Sequence, residues 1–175
     1  MNHTRRVGNG PRQQRLEGNP MADTQRTLLL VKPDGVQRQL VGRVLTRFEE
    51  RGLKIVGLKL VWADRALAEQ HYAVHRERPF FKGLVDFITS SPLVAAAIEG
   101  PNAIAIVRAM NGATRPHEAA PGSIRGDFAV ETAQNLVHAS DSPENAATEL
   151  ALWFKDTELF SYEREIDRWV LAPED

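Results

Sequence analysis

Apolar positions along the chain fall into blocks whose period changes between strand-like and helix-like. Thr27 to Val31 is an unbroken β-type run halted by Lys32-Pro33-Asp34-Gly35, which predicts a buried strand entering a turn with Lys32 at its end. Val41, Val44, Leu45 and Phe48 recur at helical spacing, with Arg43, Arg47, Glu49 and Glu50 opposite and Gly52 as a stop, so an amphipathic helix on a sheet is expected. Lys54 to Trp62 then predicts a strand with Val56, Leu58, Leu60 and Trp62 on one side and Gly57 and Lys59 on the other. Asp64 is placed to cap a helix running to about His75.

Arg76 to Phe81 breaks that helix and opens another, whose Phe80, Leu84, Phe87 and Ile88 share a face. Leu93 to Ile98 is apolar throughout and predicts a central strand. Asn102 to Met110 predicts a short helix with Ala103, Val107 and Met110 inward and Arg108 projecting sideways. Asn111 to Asp127 shows no periodicity and contains Gly112, Pro116, Pro121, Gly122 and Gly126, as a long functional loop would. A strand over Phe128 to Val130, a helix near Glu131 to Leu136 and a capped helix to Phe154 follow, the last with Ala147, Leu150, Ala151 and Phe154 inward, and then an irregular tail. Alternation of strands and helices alone would suggest a doubly wound parallel sheet.

A chain of 175 residues suits one domain with a real core. Lys plus Arg total 22 against 23 Asp plus Glu, so no global field favours nucleic acid and any anion site must be made by local clustering. With no cysteine, disulfides, thiolate-bound zinc and thiol catalysis are excluded. No apolar run reaches the roughly 20 residues of a membrane helix. A cytoplasmic protein is expected. Residues 1–22 are polar and basic, with Val7 and Leu16 as the larger apolar groups of the first twenty, and are expected to be a disordered extension before a domain over 23–175.

The chemistry gathers in two places. Asn135-Leu-Val-His-Ala-Ser-Asp-Ser ends an apolar run at His138, four residues before Pro143. Proline suits the first turn of a helix, and Ser142, or Asp141 with Glu144, can cap it. His138 then lies near the positive end of a helix dipole, where anions gather. A neutral imidazole there has a lone pair able to attack phosphorus, although a lone histidine is more often structural. Glu149 borders the apolar stripe of that helix and could reach back to His138. The second place is the 108–125 segment, which supplies Arg108, Arg115 and Arg125 with Thr114, guanidiniums being bidentate partners for phosphate. Phe80 is a candidate to stack on a flat ligand, with a core role as the plainer alternative. Glycine-rich phosphate loops and the catalytic motifs of protein kinases are absent, and no ligand spacing suggests a tight metal site.

Lys32-Pro-Asp-Gly-Val-Gln-Arg, Arg78-Pro-Phe-Phe, Ser123-Ile-Arg-Gly-Asp-Phe and Asn135-Leu-Val-His-Ala-Ser-Asp-Ser, taken together and in this order, resemble the nucleoside diphosphate kinase family from about Thr24 to Trp169. The resemblance implies an α+β, ferredoxin-like βαββαβ sandwich whose antiparallel sheet is covered by helices. It implies ping-pong transfer of the terminal phosphoryl group of a nucleoside triphosphate to His138 and on to a nucleoside diphosphate. Lys32, Arg108, Thr114 and Arg125 would hold phosphates, Lys32 and Asn135 the sugar hydroxyls. Phe80 would stack on the base beside Leu84, Tyr72 would sit near the phosphates, and Ser140 and Glu149 would orient and polarise the histidine. Mg²⁺ would arrive on phosphate oxygens. Purines and pyrimidines would both be accepted, because stacking ignores base identity, and ribo- and deoxyribonucleotides alike. A homohexamer or homotetramer is implied, the hexamer favoured, with contacts in the 111–127 loop and the tail; no membrane or specific nucleic acid is expected as partner. Where the family usually has glycine after the histidine, this chain has Ala139, which would cost roughly 1 kcal/mol if φ there were positive. Two other readings use the same residues: a phosphohistidine donor to proteins, and a non-catalytic nucleotide- or nucleic-acid-binding module.

Overall fold

The computed structural model describes residues 24–171. The extension expected over 1–22 lies outside the described residues. The first strand, β1 (Thr24–Val31), is followed by short helix α1 (Pro33–Gln37), helix α2 (Val41–Glu50) and strand β2 (Lys54–Val61). Helices α3 (Arg65–His71) and α4 (Phe81–Ile88) precede β3 (Leu93–Pro101). Then come α5 (Ala103–Asn111), α6 (Ile124–Phe128), β4 (Val137–Ala139), α7 (Pro143–Trp153) and α8 (Asp167–Val170). The sheet order is β2-β3-β1-β4 and every pairing is antiparallel. This is the ferredoxin-like sandwich, and the parallel sheet suggested by alternation alone does not occur.

The continuous apolar run of β1 has its reason in this order. Leu29 and Val31 enter one core with Val44 and Phe48 of α2, Ala103 and Val107 of α5, and Ile124 of α6. Leu28 and Leu30 enter a second core with Ala68 of α3, Val85 and Ile88 of α4, and Leu150 and Trp153 of α7. Both faces of the strand are covered, so alternation would have buried polar groups without partners.

Several elements differ from expectation. The Lys32–Gly35 turn is the start of a one-turn helix, with Pro33 in its first turn. α3 does begin at Asp64, which accepts from Leu67 N at 2.8 Å, but it ends at His71 and only a 3₁₀ turn reaches His75. In α4 the inward positions are Val85 and Ile88, while Phe80 sits at the cap with 53% of its surface exposed. α5 buries Ala103, Ile104, Val107 and Asn111, with Met110 packed at the margin. In β2 a bulge between Ile55 and Gly57 resets the register; Lys59 and Val61 turn to the second core, and Leu58, Leu60 and Trp62 are left exposed.

The stretch between α5 and α7 departs furthest. Phe128 to Val130 is no strand, because Ser123 Oγ caps Gly126 N at 3.1 Å and Phe128 closes α6. Glu131 to Leu136 is no helix: Leu136 has φ 71° and the chain enters β4 directly after it. α7 is capped by Ser142 Oγ on Asn145 N at 3.1 Å, but its inward stripe is Ala146, Leu150 and Trp153, with Ala147 and Ala151 exposed. The stripe is turned by one residue because Glu149 points at His138, so apolar and functional faces share the helix.

Candidate active site

Strand β4 is three residues long and is fixed from three sides. It pairs with β1, placing His138 opposite Leu30, on the second core's side of the sheet, while Val137 and Ala139 enter the first core. Arg125, buried at the start of α6, donates to the carbonyls of Gly112 (2.7 Å), Val137 (2.7 Å) and Asn135 (3.2 Å). The Lys32–Asp34 turn holds the peptides around Leu136: Lys32 N donates to Leu136 O at 2.8 Å, and Asp34 Oδ2 accepts from Leu136 N at 2.9 Å. A left-handed leucine costs about 1–2 kcal/mol, and these two bonds with full burial of its side chain offset that cost. Asn135 and His138 therefore take their directions from a backbone fixed by residues about a hundred positions earlier.

The imidazole of His138 is partly open to solvent. Its Nε2 lies 2.8 Å from Glu149 Oε1, and Ser140 Oγ donates to Glu149 Oε2 at 2.5 Å. Burial raises the Glu149 carboxyl, but hydrogen bonds from His138 and Ser140 and the charge of His138 outweigh it and leave the carboxyl below its usual range. A carboxylate only accepts, so Nε2 carries the proton and Nδ1 keeps the lone pair. A second histidine, His71, packs edge to face on His138 with ring centroids 4.5 Å apart. Its side chain is wholly buried and its Nδ1 accepts from Trp153 Nε1 at 3.2 Å. Of the two rings, His138 alone is open to a substrate.

Two cationic side chains meet at Asn135, just before β4. Lys32 Nζ donates to Asn135 Oδ1 at 2.6 Å and lies 5.2 Å over the ring of Phe87. Burial pulls its pKa down to about 8, with Asp34 opposing and Arg125 adding to the fall. Burial, then the nearby Arg108, lowers Arg125 to about 10. Three of the five guanidinium N–H groups of Arg125 go to carbonyls, which leaves two for an anion. Arg108 is exposed on the last turn of α5 and forms no ion pair among the described residues. Thr114 is exposed, and its carbonyl accepts from Asn135 Nδ2 at 2.8 Å. Tyr72 is buried against His71, ring centroids 4.7 Å apart, and burial with the charges of Glu149 and Asp34 pushes its hydroxyl pKa up. Phe80 and Leu84 stand one turn apart along α4, on the way to Phe87 under Lys32.

The family described as nucleoside diphosphate kinase matches this chain over residues 25–159. The chain belongs to the nucleoside diphosphate kinase family. A nucleoside diphosphate kinase of Archaeoglobus fulgidus is 56% identical over 146 residues, covering 83% of this chain and 97% of that protein. One from Pyrococcus horikoshii is 54% identical over 150 residues, covering 84% and 96%. Among solved structures, a halophilic nucleoside diphosphate kinase of Halobacterium salinarum in complex with CDP matches with a TM-score of 0.82 and 48% identity, over 83% of this chain and 97% of that one. The chain is thus an enzyme, a phosphotransferase that moves the terminal phosphoryl group of a nucleoside triphosphate to a nucleoside diphosphate through a phosphohistidine.

The structure brings these residues into two hydrogen-bonded groups that the β4 backbone joins into one network: His138, Ser140 and Glu149, with Tyr72 reached through His71, and Lys32, Arg125 and Thr114, which meet at Asn135. Arg108 is near enough to lower Arg125 electrostatically. Phe80 and Leu84 join through α4 alone. Asp34, His71 and Trp153 belong to the network too and were not among the sequence candidates. Asp34 stood inside a quoted motif and read as a turn residue; nothing local marks the other two. No described helix is long and apolar enough to cross a membrane.

Proposed function

We propose that His138 carries the phosphoryl group, on Nδ1. The observation that supports this most directly is the 2.8 Å contact of Nε2 with Glu149, which reserves one nitrogen for the carboxylate and frees the other for attack. As positive charge develops on the imidazole, Glu149 stabilises it, and Ser140 holds the carboxylate in place. Lys32, Arg125 and Arg108, with Thr114, neutralise and position the phosphates, which is most of what phosphoryl transfer demands. Tyr72 borders the phosphate end. Asn135 and Lys32, already bonded to each other, meet the sugar hydroxyls, and Phe80 stacks on the base with Leu84 beside it.

Mg²⁺ fits this reading as an ion brought by the nucleotide. Glu149 already accepts from His138 and Ser140, and Asp34 Oδ2 from Leu136 N, so these two carboxylates serve the protein's own groups and the ion would depend on phosphate oxygens. Held through the phosphates of the nucleotide, the ion would supply charge neutralisation beside Lys32 and Arg125. A stacking site on an exposed phenylalanine accepts purines and pyrimidines, ribose and deoxyribose alike. Assembly into a homo-oligomer, a hexamer by preference, belongs to the same proposal; exposed Leu60, Trp62 and Trp169 support self-association. A cytoplasmic location, where nucleoside triphosphates are abundant, is part of the proposal as well.

Incubation with γ-labelled ATP tests the assignment. The parent is expected to take up acid-labile, base-stable label that discharges onto any added nucleoside diphosphate, and His138→Ala to take up none. Label persisting in His138→Ala would overturn it.

A further inference from the structure

His71 raises a problem that the phosphoryl-transfer scheme does not solve. Glu149 Oε1 faces two imidazoles at once: His138 Nε2 at 2.8 Å and His71 Nδ1 at 3.9 Å. If His71 presented an N–H at Nδ1, the two rings would compete for one oxygen. The rest of the ring offers no counterweight, because His71 Nε2 is buried and has no hydrogen-bond partner among the described residues. A proton on Nε2 therefore gains nothing there, and a proton on Nδ1 would gain a carboxylate. The same three side chains, within 4.8 Å of one another, have the composition of a metal site, but the nitrogen nearest Glu149 is already taken.

What takes it is Trp153, one turn along α7 from Glu149. Indole can only donate, and its Nε1–H points at His71 Nδ1 from 3.2 Å, so that nitrogen must be an acceptor. We propose that Trp153 is a positioning residue for His138: by occupying the Nδ1 lone pair of His71, it keeps the second imidazole from drawing Glu149 away from the first. This rests on the reading of His138 as the phosphoryl carrier. It assigns each histidine its tautomer through one helix, α7, whose Glu149 accepts from His138 and whose Trp153, four residues on, donates to His71.

The charged and titratable surroundings of His71 favour the same state. Burial lowers its pKa most and the adjacent His138 lowers it further; Glu149 opposes, His75 adds to the fall, and the ring stands at about 3. Tyr72, the remaining neighbour with an ionisable group, is neutral because burial raises its hydroxyl. At neutral pH the choice at His71 is therefore between two neutral tautomers, and of the polar groups that touch it Trp153 is the one that favours Nε2–H.

The test is a pair of variants measured as folded, full-length protein. Trp153→Phe keeps a ring in the core but removes the donor. Its kcat is expected to fall at least about tenfold with KM for the nucleoside diphosphate within about twofold, since His71 and Trp153 are buried and present little surface to a ligand. Adding His71→Phe removes the competitor, and the double variant is expected to recover to within about threefold of the parent. A lost packing contact would not be repaired by a second core substitution. Parent-like kcat in Trp153→Phe, or a double variant no faster than the single, would overturn the proposal. Should Trp153→Phe not fold, ¹⁵N imidazole shifts of the parent at neutral pH decide: His71 protonated on Nε2 supports the lock, and on Nδ1 sinks it. Label from γ-labelled ATP on the parent, absent in His138→Ala, keeps a failure of this inference distinct from a failure of the assignment beneath it.

Discussion

The sheet has two edge strands, and they are finished in opposite ways. β4 is three residues long, and its flanking backbone is bonded to β1, to the Lys32–Asp34 turn and to the Arg125 guanidinium. β2 is eight residues long, is bulged after Ile55, and leaves Leu58 at 52% and Leu60 at 66% exposure. One edge spends its hydrogen-bonding groups on holding a single ring in place; the other leaves apolar side chains uncovered. Chemistry that depends on orientation suits the edge with no freedom, and the association proposed above suits the edge with surface left over.

The comparison can be broken at its tightest point. Asp34→Ala removes the acceptor for Leu136 N and leaves a left-handed leucine with one fewer bond to hold it. The expected loss in kcat is about 10- to 100-fold, or roughly 1.4–2.8 kcal/mol of transition-state stabilisation. A steady-state assay checks it, beside Leu58→Ala at the other edge, for which kcat should stay within about twofold. Equal losses in the two variants would mean that the clamp on β4 has no special part in placing His138.

Protonation sharpens the same contrast. Lys32 is a cation whose pKa has been pulled down to about 8, so it loses its charge, and with it the phosphate contact proposed for it, as pH rises through that value. In the free enzyme kcat/KM should therefore decline above about pH 8, by up to tenfold per unit. Bound phosphate favours the charged form, so the corresponding limb in kcat should lie at higher pH. Asp34 opposes the depression, and Asp34→Asn should move the kcat/KM limb toward lower pH. A limb that stays in place would show that the Asp34 charge does not reach Lys32.

The same two edges show what could be read from residues alone. β1 and β3 were legible because both faces of each are buried, and a continuous apolar run says so locally. The helix after His138 was legible because Ser142 and Pro143 are local signals of a helix start. Residues 128–136 were not, because the left-handed turn at Leu136 is made by Asp34, 102 residues earlier, and no nearby residue type announces it. Likewise period two in β2 gave the right strand but the wrong covered face, since a bulge changes register without changing composition. Of the site, His138, Glu149 and the basic residues stood out chemically. His71 and Trp153 look like any buried ring until Glu149 is seen between the two histidines.

At the β2 edge the expected effect is on mass and hardly on rate. Leu60→Lys places a charge in the middle of the exposed apolar stretch and should shift the protein toward smaller species in sedimentation or size-exclusion experiments. Activity per chain should stay within about twofold, because Leu60 touches nothing in the site. Unchanged mass would remove this edge from the assembly proposal and leave the tail around Trp169, which is 79% exposed, to support it.

The smallest effect is expected at Ala139, beside the His138 ring. A glycine there would be an improvement if the backbone needed positive φ, but the described non-glycine residues with positive φ are Gln39, Asn102 and Leu136, and Ala139 is a strand residue paired with Leu29. It is buried in the first core, at a relative exposure of 7%. Ala139→Gly should therefore change kcat by less than about threefold. Its cost falls on stability: roughly 0.8 kcal/mol for the lost buried methyl and about 0.5–1 kcal/mol for glycine in a strand. Thermal unfolding beside a rate measurement separates the two, and a tenfold gain in rate would mean that the alanine does tilt His138, and that the strain of this edge is not confined to Leu136.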